Sequence, residues 1–375
     1  MGISQLVDAL RFVFRPDFWT MAVFWTACLV FSYLQLLLPT LFASISRRYP
    51  RCSPASASSS PDHFRPLCII TGATSGLGAA AAYSLSKEGF YVVLVGRSSE
   101  LLSKTMREIK NRNEHALLKA FHVDVSSYLS LSKFKVSLEQ WLLDSDLHAS
   151  VQLLINNAGI LATSHRLTSE GYDEMMATNY IGAFCLTKLL LPLLKNSPIP
   201  SRIVNVSSFT HRNVSNVQVN KDIVSGKCFS RSKQYPCARI YEYSKLCLLL
   251  FSYELHRQLS LNNESSQISV TAADPGAVQT NIMREVPSHI SQIAITVLKL
   301  LGLLQSPENG VSSILDAALA PPEISGVYFF GGKGRTFNSS ELSRNTRLAQ
   351  ELWTISSDLV LQSQLAVKEG KDFIS

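Results

Sequence analysis

Tyr241 and Lys245 stand four residues apart in the run YEYSK, so on a helix they share one face. A phenol with an ordinary pKa of about 10 is a poor proton shuttle at neutral pH and needs nearby positive charge to lower it. A lysine one helical turn away can supply that charge. Tyr243 lies between them, and only the Y-x-x-x-K spacing selects Tyr241. A second chemistry lies upstream, where the apolar run LCIIT leads into Gly72, Ala73, Thr74, Ser75, Gly76, Leu77 and Gly78. A strand, a glycine turn and a helix N-terminus in that order suit a dinucleotide. Gly72 permits the tight turn, Gly76 lets backbone N–H groups approach a pyrophosphate, and Gly78 allows close helix packing. Arg97, at the end of YVVLVGR, lies where an adenosine ribose would sit; an arginine there pairs with the 2′-phosphate of NADP, where an acidic residue would bond the hydroxyl of NAD. NADP(H) is therefore the preferred cofactor and NAD(H) the alternative. Asp124 and Val125 follow a third apolar run; the carboxylate can accept from an adenine amino group or cap a helix ahead of Ser126. Asn157, Ala158 and Gly159 follow LLIN, at the strand end where such sheets bind ligands.

Positioning these residues requires a sheet. Short β-branched runs at 67–71, 91–96, 116–123, 151–155, 202–206, 268–272 and 326–330 alternate with helix-length amphipathic spacers. The expectation is an α/β, Rossmann-type, doubly wound fold with a seven-stranded parallel sheet. Ahead of it, residues 21–45 carry no charge, and a helix over 18–38 matches a hydrocarbon core of about 30 Å. That segment reads as a single transmembrane helix, with Trp19, Trp25 and Tyr33 as interfacial anchors and Pro39 closing it. Three arginines after the span against two before it favour a cytosolic C-terminal side, at the endoplasmic reticulum or another organelle membrane. The expected organisation is a tail at 1–17, the anchor at 18–45, a basic Ser/Pro-rich linker at 46–65, a catalytic domain at 66–330 and a C-terminal extension at 331–375. The 17% charged fraction, against about 25% in an average soluble protein, agrees with so much apolar structure. Seven scattered cysteines without a C-x-x-C pair disfavour a disulfide framework and a structural zinc site, so no metal is expected. The net charge of +7 comes without a basic stripe interleaved with exposed aromatics, which disfavours nucleic acid.

TGATSGLG, NNAG, an isolated Asn179, VNVSS, YEYSK and DPGAVQT occur in one order over residues 66–330. That ordered set resembles the short-chain dehydrogenase/reductase family, and the form VNVSS its retinol-dehydrogenase-like group. The resemblance implies an NAD(P)-dependent enzyme acting on CH–OH groups, with a tetrad of Asn179, Ser208, Tyr241 and Lys245. Tyr241 is then the general acid/base, and Ser207 is the alternative serine. Lys245 would also hold the nicotinamide ribose, Asn179 would hold a water linking the lysine to solvent, and Pro275, Gly276 and Thr280 would close over the nicotinamide. The segment after Thr280 falls at the family's substrate lid, and Lys299 is the one charge from 290 to 304. An apolar lid beside a membrane anchor suggests a lipophilic alcohol or its aldehyde or ketone, retinoid-, steroid- or polyprenoid-like. The C-terminal part has a diffuse likeness to members acting on long polyisoprenoid alcohols. The expected partners are this substrate, the bilayer and, as in many members, further copies of the chain. The alternative is a non-catalytic NADP-binding membrane scaffold.

Overall fold

The computed structural model describes residues 11–38, 46–52, 64–262 and 267–369, with Arg231 described for its backbone alone. Its strands are β1 (Arg47–Arg48), β2 (Leu67–Thr71), β3 (Tyr91–Gly96), β4 (Leu117–His122), β5 (Leu153–Asn156) and β6 (Ser201–Val206). They continue with β7 (Ile268–Asp274), β8 (Ala277–Val278), β9 (Leu304–Gln305), β10 (Val327–Phe330) and β11 (Arg335–Thr336). The main helices are α1 (Pro16–Leu37), α2 (Gly76–Lys87), α3 (Ser99–Arg112), α4 (Tyr128–Asp144) and α5 (Glu174–Lys195). After them come α6 (Cys237–Leu261), α7 (Ser288–Leu300), α8 (Ser312–Ala318) and α9 (Thr346–Lys368).

Every residue of β2, β5, β6 and β7 is buried, as strands covered on both faces by helices must be. The sheet runs β1-β11-β10-β7-β6-β5-β2-β3-β4. From β10 to β4 all neighbours are parallel, which gives the expected seven-stranded, doubly wound Rossmann sheet. The strand order reverses between β2 and β5, and the crevice at that switch point receives the glycine turn and the strand end at Asn156. Two antiparallel edge strands, β11 and β1, are additions that the sequence reading did not anticipate.

The first part of the linker region is therefore docked. Arg47 and Arg48 pair with Thr336 and Arg335, and Arg51 Nε donates to Asp316 Oδ1 at 2.7 Å. The serine-rich stretch at 53–61 lies outside the described residues, as does Pro39. The region after 330 is woven into the core: Ala349, Leu352 and Leu359 of α9 are buried in the same cluster as Tyr180, Phe184 and Phe251. The stretch between Ser208 and Tyr241 is docked at its start, while Lys221, Lys227, Lys233 and Arg239 further along stay exposed. His211 is fully buried, and Arg212 Nη2 donates to Asn338 O at 2.7 Å.

α1 is long and apolar enough to cross a membrane, and it lies against the domain along one stripe. Leu29, Ser32 and Leu36 are buried on that stripe, while Trp19, Val23, Phe24, Phe31 and Leu37 are exposed. Of the three expected interfacial anchors only Trp19 faces outward; Trp25 and Tyr33 turn inward onto the protein. α5 has the length and apolarity of a span as well, but it is mostly buried as a core helix.

Candidate active site

β2 delivers the glycine turn to the switch point. Gly72 and Gly76 both have positive φ, at 65° and 53°, a conformation glycine adopts without steric cost. A Cβ on Gly78 would fall 2.2 Å from Gly72 O, so only glycine lets α2 start this close to the strand. Ser75, the N-cap of α2, makes no side-chain cap bond, which leaves the first amides of a twelve-residue helix available to an anion. Thr74 packs on Gly96 and Thr280 on Gly76, so the loop after β7 covers the turn. Leu77 is half-buried behind it. These residues fit a dinucleotide: backbone N–H groups at 75–78 for the pyrophosphate and Ala158 and Gly159 beside them for the nicotinamide half.

Four of the expected cofactor residues also have partners within the protein. Asn157 Nδ2 donates to Thr71 O at 2.8 Å and to Gly72 O at 3.3 Å, so its amide braces the glycine turn. Asp124 Oδ1 accepts from Ser126 N at 2.9 Å and Ser126 Oγ at 2.7 Å, while Ser127 caps α4; the Asp124 carboxylate closes a local turn and is not the helix cap. Val125 is buried, its carbonyl against Gly182. Arg97 Nη1 reaches Glu174 Oε1 at 3.1 Å, and Glu174 also pairs with Arg166.

The proton-handling residues converge from three elements. Tyr241 and Lys245 share a face of α6, with the Lys245 Nζ 5.7 Å from the Tyr241 ring centroid. Lys245 is buried and donates to Val206 O at 3.0 Å. At the end of β6 the two serines part, because side chains in extended backbone alternate. Ser207 Oγ donates to Lys245 O at 3.1 Å, whereas the Ser208 hydroxyl hydrogen-bonds the Tyr241 side chain. The geometry thus distinguishes the serines that the sequence left open, with Ser208 beside the phenol. Asn179 sits in a π-helical turn of α5, Ala177–Ile181. Its Oδ1 accepts from Ile160 N at 2.8 Å, and its Nδ2 donates to Ile160 O and Ser244 Oγ, both at 3.0 Å. A Cβ on Gly159 would lie 3.5 Å from both Asn179 Oδ1 and Lys245 Nζ, so the four residues and Gly159 form one cluster.

Burial sets the electrostatics. The Tyr241 phenol is pushed above its usual range by burial and then by the Asp274 charge, with the Ser208 hydrogen bond opposing. Burial lowers Lys245 to about 8, against the pull of Asp274. Asp274 itself is raised to about 6 by burial, although Tyr328 and the Gly276 amide donate to it. Sequence reasoning missed Asp274, as well as Glu242, which accepts from Trp25 Nε1 and Asn213 Nδ2, each at 2.6 Å. The available signal was a carboxylate ending the apolar run ISVTAA and another inside a buried helix. Pro275 and Gly276 form the turn after β7, and Gly276 has φ 72°. Among the described residues no cluster of His, Cys, Asp and Glu could hold a metal.

The sequence model of the short chain dehydrogenase family matches residues 67–220. The chain is 32% identical to human polyprenol dehydrogenase over 78% of this chain and 84% of that protein. It is 30% identical to human retinol dehydrogenase 13 over 80% of this chain and 86% of the relative. Among solved structures, an uncharacterised protein from Mycobacterium paratuberculosis superposes with a TM-score of 0.58 at 26% identity, covering 81% of this chain and 96% of that one.

Proposed function

The chain belongs to the short-chain dehydrogenase/reductase family and is an NAD(P)-dependent oxidoreductase acting on CH–OH groups; from that premise we propose that it is a membrane-attached, NADP(H)-preferring enzyme interconverting a lipophilic alcohol and its aldehyde or ketone. The observation that carries the catalytic part is the meeting of the Ser208 and Tyr241 hydroxyls over buried Lys245, beside the glycine turn. Bound nicotinamide supplies or accepts the hydride. Tyr241 gives its proton to the carbonyl oxygen in reduction and takes it from the alcohol in oxidation. Ser208 orients that oxygen, Lys245 restores charge next to the phenol, and Asn179 holds the Ile160 backbone that floors the cluster.

Three features support the finer reading. Arg97 presents its guanidinium at the end of β3, partly exposed and free to exchange Glu174 for a 2′-phosphate. α7, the lid helix, leaves Ile293, Val297 and Leu300 exposed, and α1 leaves a parallel set. Lipophilic substrates are taken from the bilayer to which α1 attaches the enzyme, with the catalytic domain on the cytosolic side and further copies of the chain as partners. The relatives named for polyprenol and retinol make retinoid, steroid and polyprenoid carbonyls the substrates to try first. Purified full-length protein should oxidise NADPH with a member of that panel, and Tyr241→Phe should cut turnover by about 10²-fold or more with NADPH binding kept. Full turnover in the phenylalanine variant would sink the mechanism; tight NADPH binding without turnover of any member would favour the scaffold.

A further inference from the structure

The inner stripe of α1 lies on the reaction centre. The Trp25 and Tyr241 ring centroids are 5.4 Å apart, tilted by 39°. The Trp25 indole is fixed there by its bond to Glu242, the residue next to Tyr241, and Asn213 holds the same carboxylate oxygen from the other side. One turn along, Leu29 and the Tyr33 hydroxyl close on Gly276; a Cβ there would be 3.8 Å from Leu29 Cδ1 and 3.2 Å from Tyr33 Oη. Gln305 Nε2 donates to Tyr33 Oη at 3.1 Å and to Pro275 O at 2.9 Å, which ties α1 to the turn after β7. At the other end Asp17 Oδ1 accepts from Ala238 N at 3.1 Å, satisfying an amide in the first turn of α6, whose own N-cap Pro236 offers no side-chain bond.

A helix that only tethered the domain would need apolar length alone. This one spends an indole N–H, a tyrosine hydroxyl and a carboxylate on the elements that carry Tyr241 and Pro275. Lipid offers none of those groups a partner. We propose that α1 roofs the reaction cleft and that Trp25 is a substrate-contacting residue that determines specificity for substrates with a long apolar tail. The proposal rests on the reading of the substrate as lipophilic. The indole is a rigid apolar wall beside the phenol. A substrate whose oxygen reaches the Tyr241 hydroxyl lays its first carbons along that wall, and the remaining tail continues beneath α1. A short polar substrate gains nothing from it.

The test uses full-length protein in phospholipid nanodiscs, as wild type, Trp25→Leu and Trp25→Phe, with NADPH and either a long-chain isoprenoid aldehyde or propanal. Leucine keeps the apolarity that attaches α1 and removes the wide ring and the donor to Glu242. Trp25→Leu should lower kcat/KM for the isoprenoid aldehyde about tenfold more than for propanal, mostly through KM, and leave the NADPH Kd unchanged. Trp25→Phe should recover most of the loss. A second readout needs no turnover: energy transfer from tryptophan to bound NADPH should fall in Trp25→Leu, because the indole sits beside the reactive phenol. Unchanged transfer would place Trp25 away from the site and overturn the proposal. A fall in transfer with an unchanged isoprenoid-to-propanal ratio would overturn its role in specificity. If the wild type reduces neither aldehyde, the substrate reading fails instead, and energy transfer alone decides whether α1 is the roof.

Discussion

Ser207 and Ser208 differ by one position and face different tasks. Extended backbone turns Ser207 back onto the Lys245 carbonyl and Ser208 onto the phenol, so Ser208→Ala should lower kcat by about 10²-fold with NADPH binding kept. Ser207→Ala should act through stability, costing about 1 kcal/mol in denaturation with a kcat within about threefold of wild type. Equal losses of kcat in both would refute the assignment. Arg97 permits a separate measurement. Its guanidinium already meets one anionic partner, Glu174, so Arg97→Ala should raise the NADPH Kd about tenfold or more and leave that of NADH nearly unchanged by fluorescence titration. Much of this was legible from spacing: Y-x-x-x-K fixes a helix face, and three glycines after LCIIT fix a turn. What spacing does not carry is direction across a strand end or the second partner of a polar group. The bracing bonds of Asn157 and Asp124 were therefore not foreseen beside their expected cofactor contacts, and Glu242 and Asp274 were overlooked, their importance arising from burial by segments distant in sequence.

At the scale of elements, the serine loop is locked to the C-terminal region through His211. Its Nδ1 meets Ser208 O at 2.6 Å and its Nε2 meets Ser340 N at 3.1 Å. A carbonyl only accepts and an amide only donates, so the ring must be neutral with its proton on Nδ1. Burial first, then the Arg212 charge, hold it down at about 3 from 6.5. The unfolded chain therefore binds a proton between those values that the folded protein refuses, and stability falls as pH drops through that window, by at most about 1.4 kcal/mol per pH unit. Asp274 works in the opposite sense. Raised from 3.8 to about 6, it favours the fold below 3.8 and loses that contribution as pH rises through about 6. The two partly cancel in the wild type, so the variants must be compared. Between about pH 6 and 4, denaturation should show less acid loss in His211→Asn than in wild type, and more in Asp274→Asn. Parallel curves for all three would show that neither group titrates differently on folding. The strands and α6 were readable because apolar period and β-branching dictate them; β1 and β11 were not, since two-residue edge strands leave no period.

At the scale of the molecule, hydropathy reads α1 as a span because an apolar helix, charged only at Asp17 in its first turn, has the same composition whether lipid surrounds it or one stripe faces protein. The structure separates the stripes. Trp25, Leu29 and Leu36 face the enzyme, while Trp19, Val23, Phe24, Phe31 and Leu37 face away. α7 packs beside it through Leu298 and leaves Ile293 65% and Leu300 83% exposed, so both helices offer exposed apolar side chains. Exposed apolar side chains on both helices raise a question for the proposed membrane attachment: if the two lie together in one leaflet's interface, α7 should share in holding the membrane, and if α1 spans alone, it should not. Ile293→Glu with Leu300→Glu removes two exposed apolar side chains, each worth about 1.5–3 kcal/mol when fully buried in lipid, and adds two carboxylates. Even at partial immersion the double variant should bind phosphatidylcholine vesicles at least about tenfold more weakly in flotation, with NADPH affinity unchanged because neither residue touches the glycine turn. Were α1 to cross the bilayer independently of α7, the variant would float as the wild type does and resist extraction by carbonate, and the interfacial arrangement would have to be abandoned.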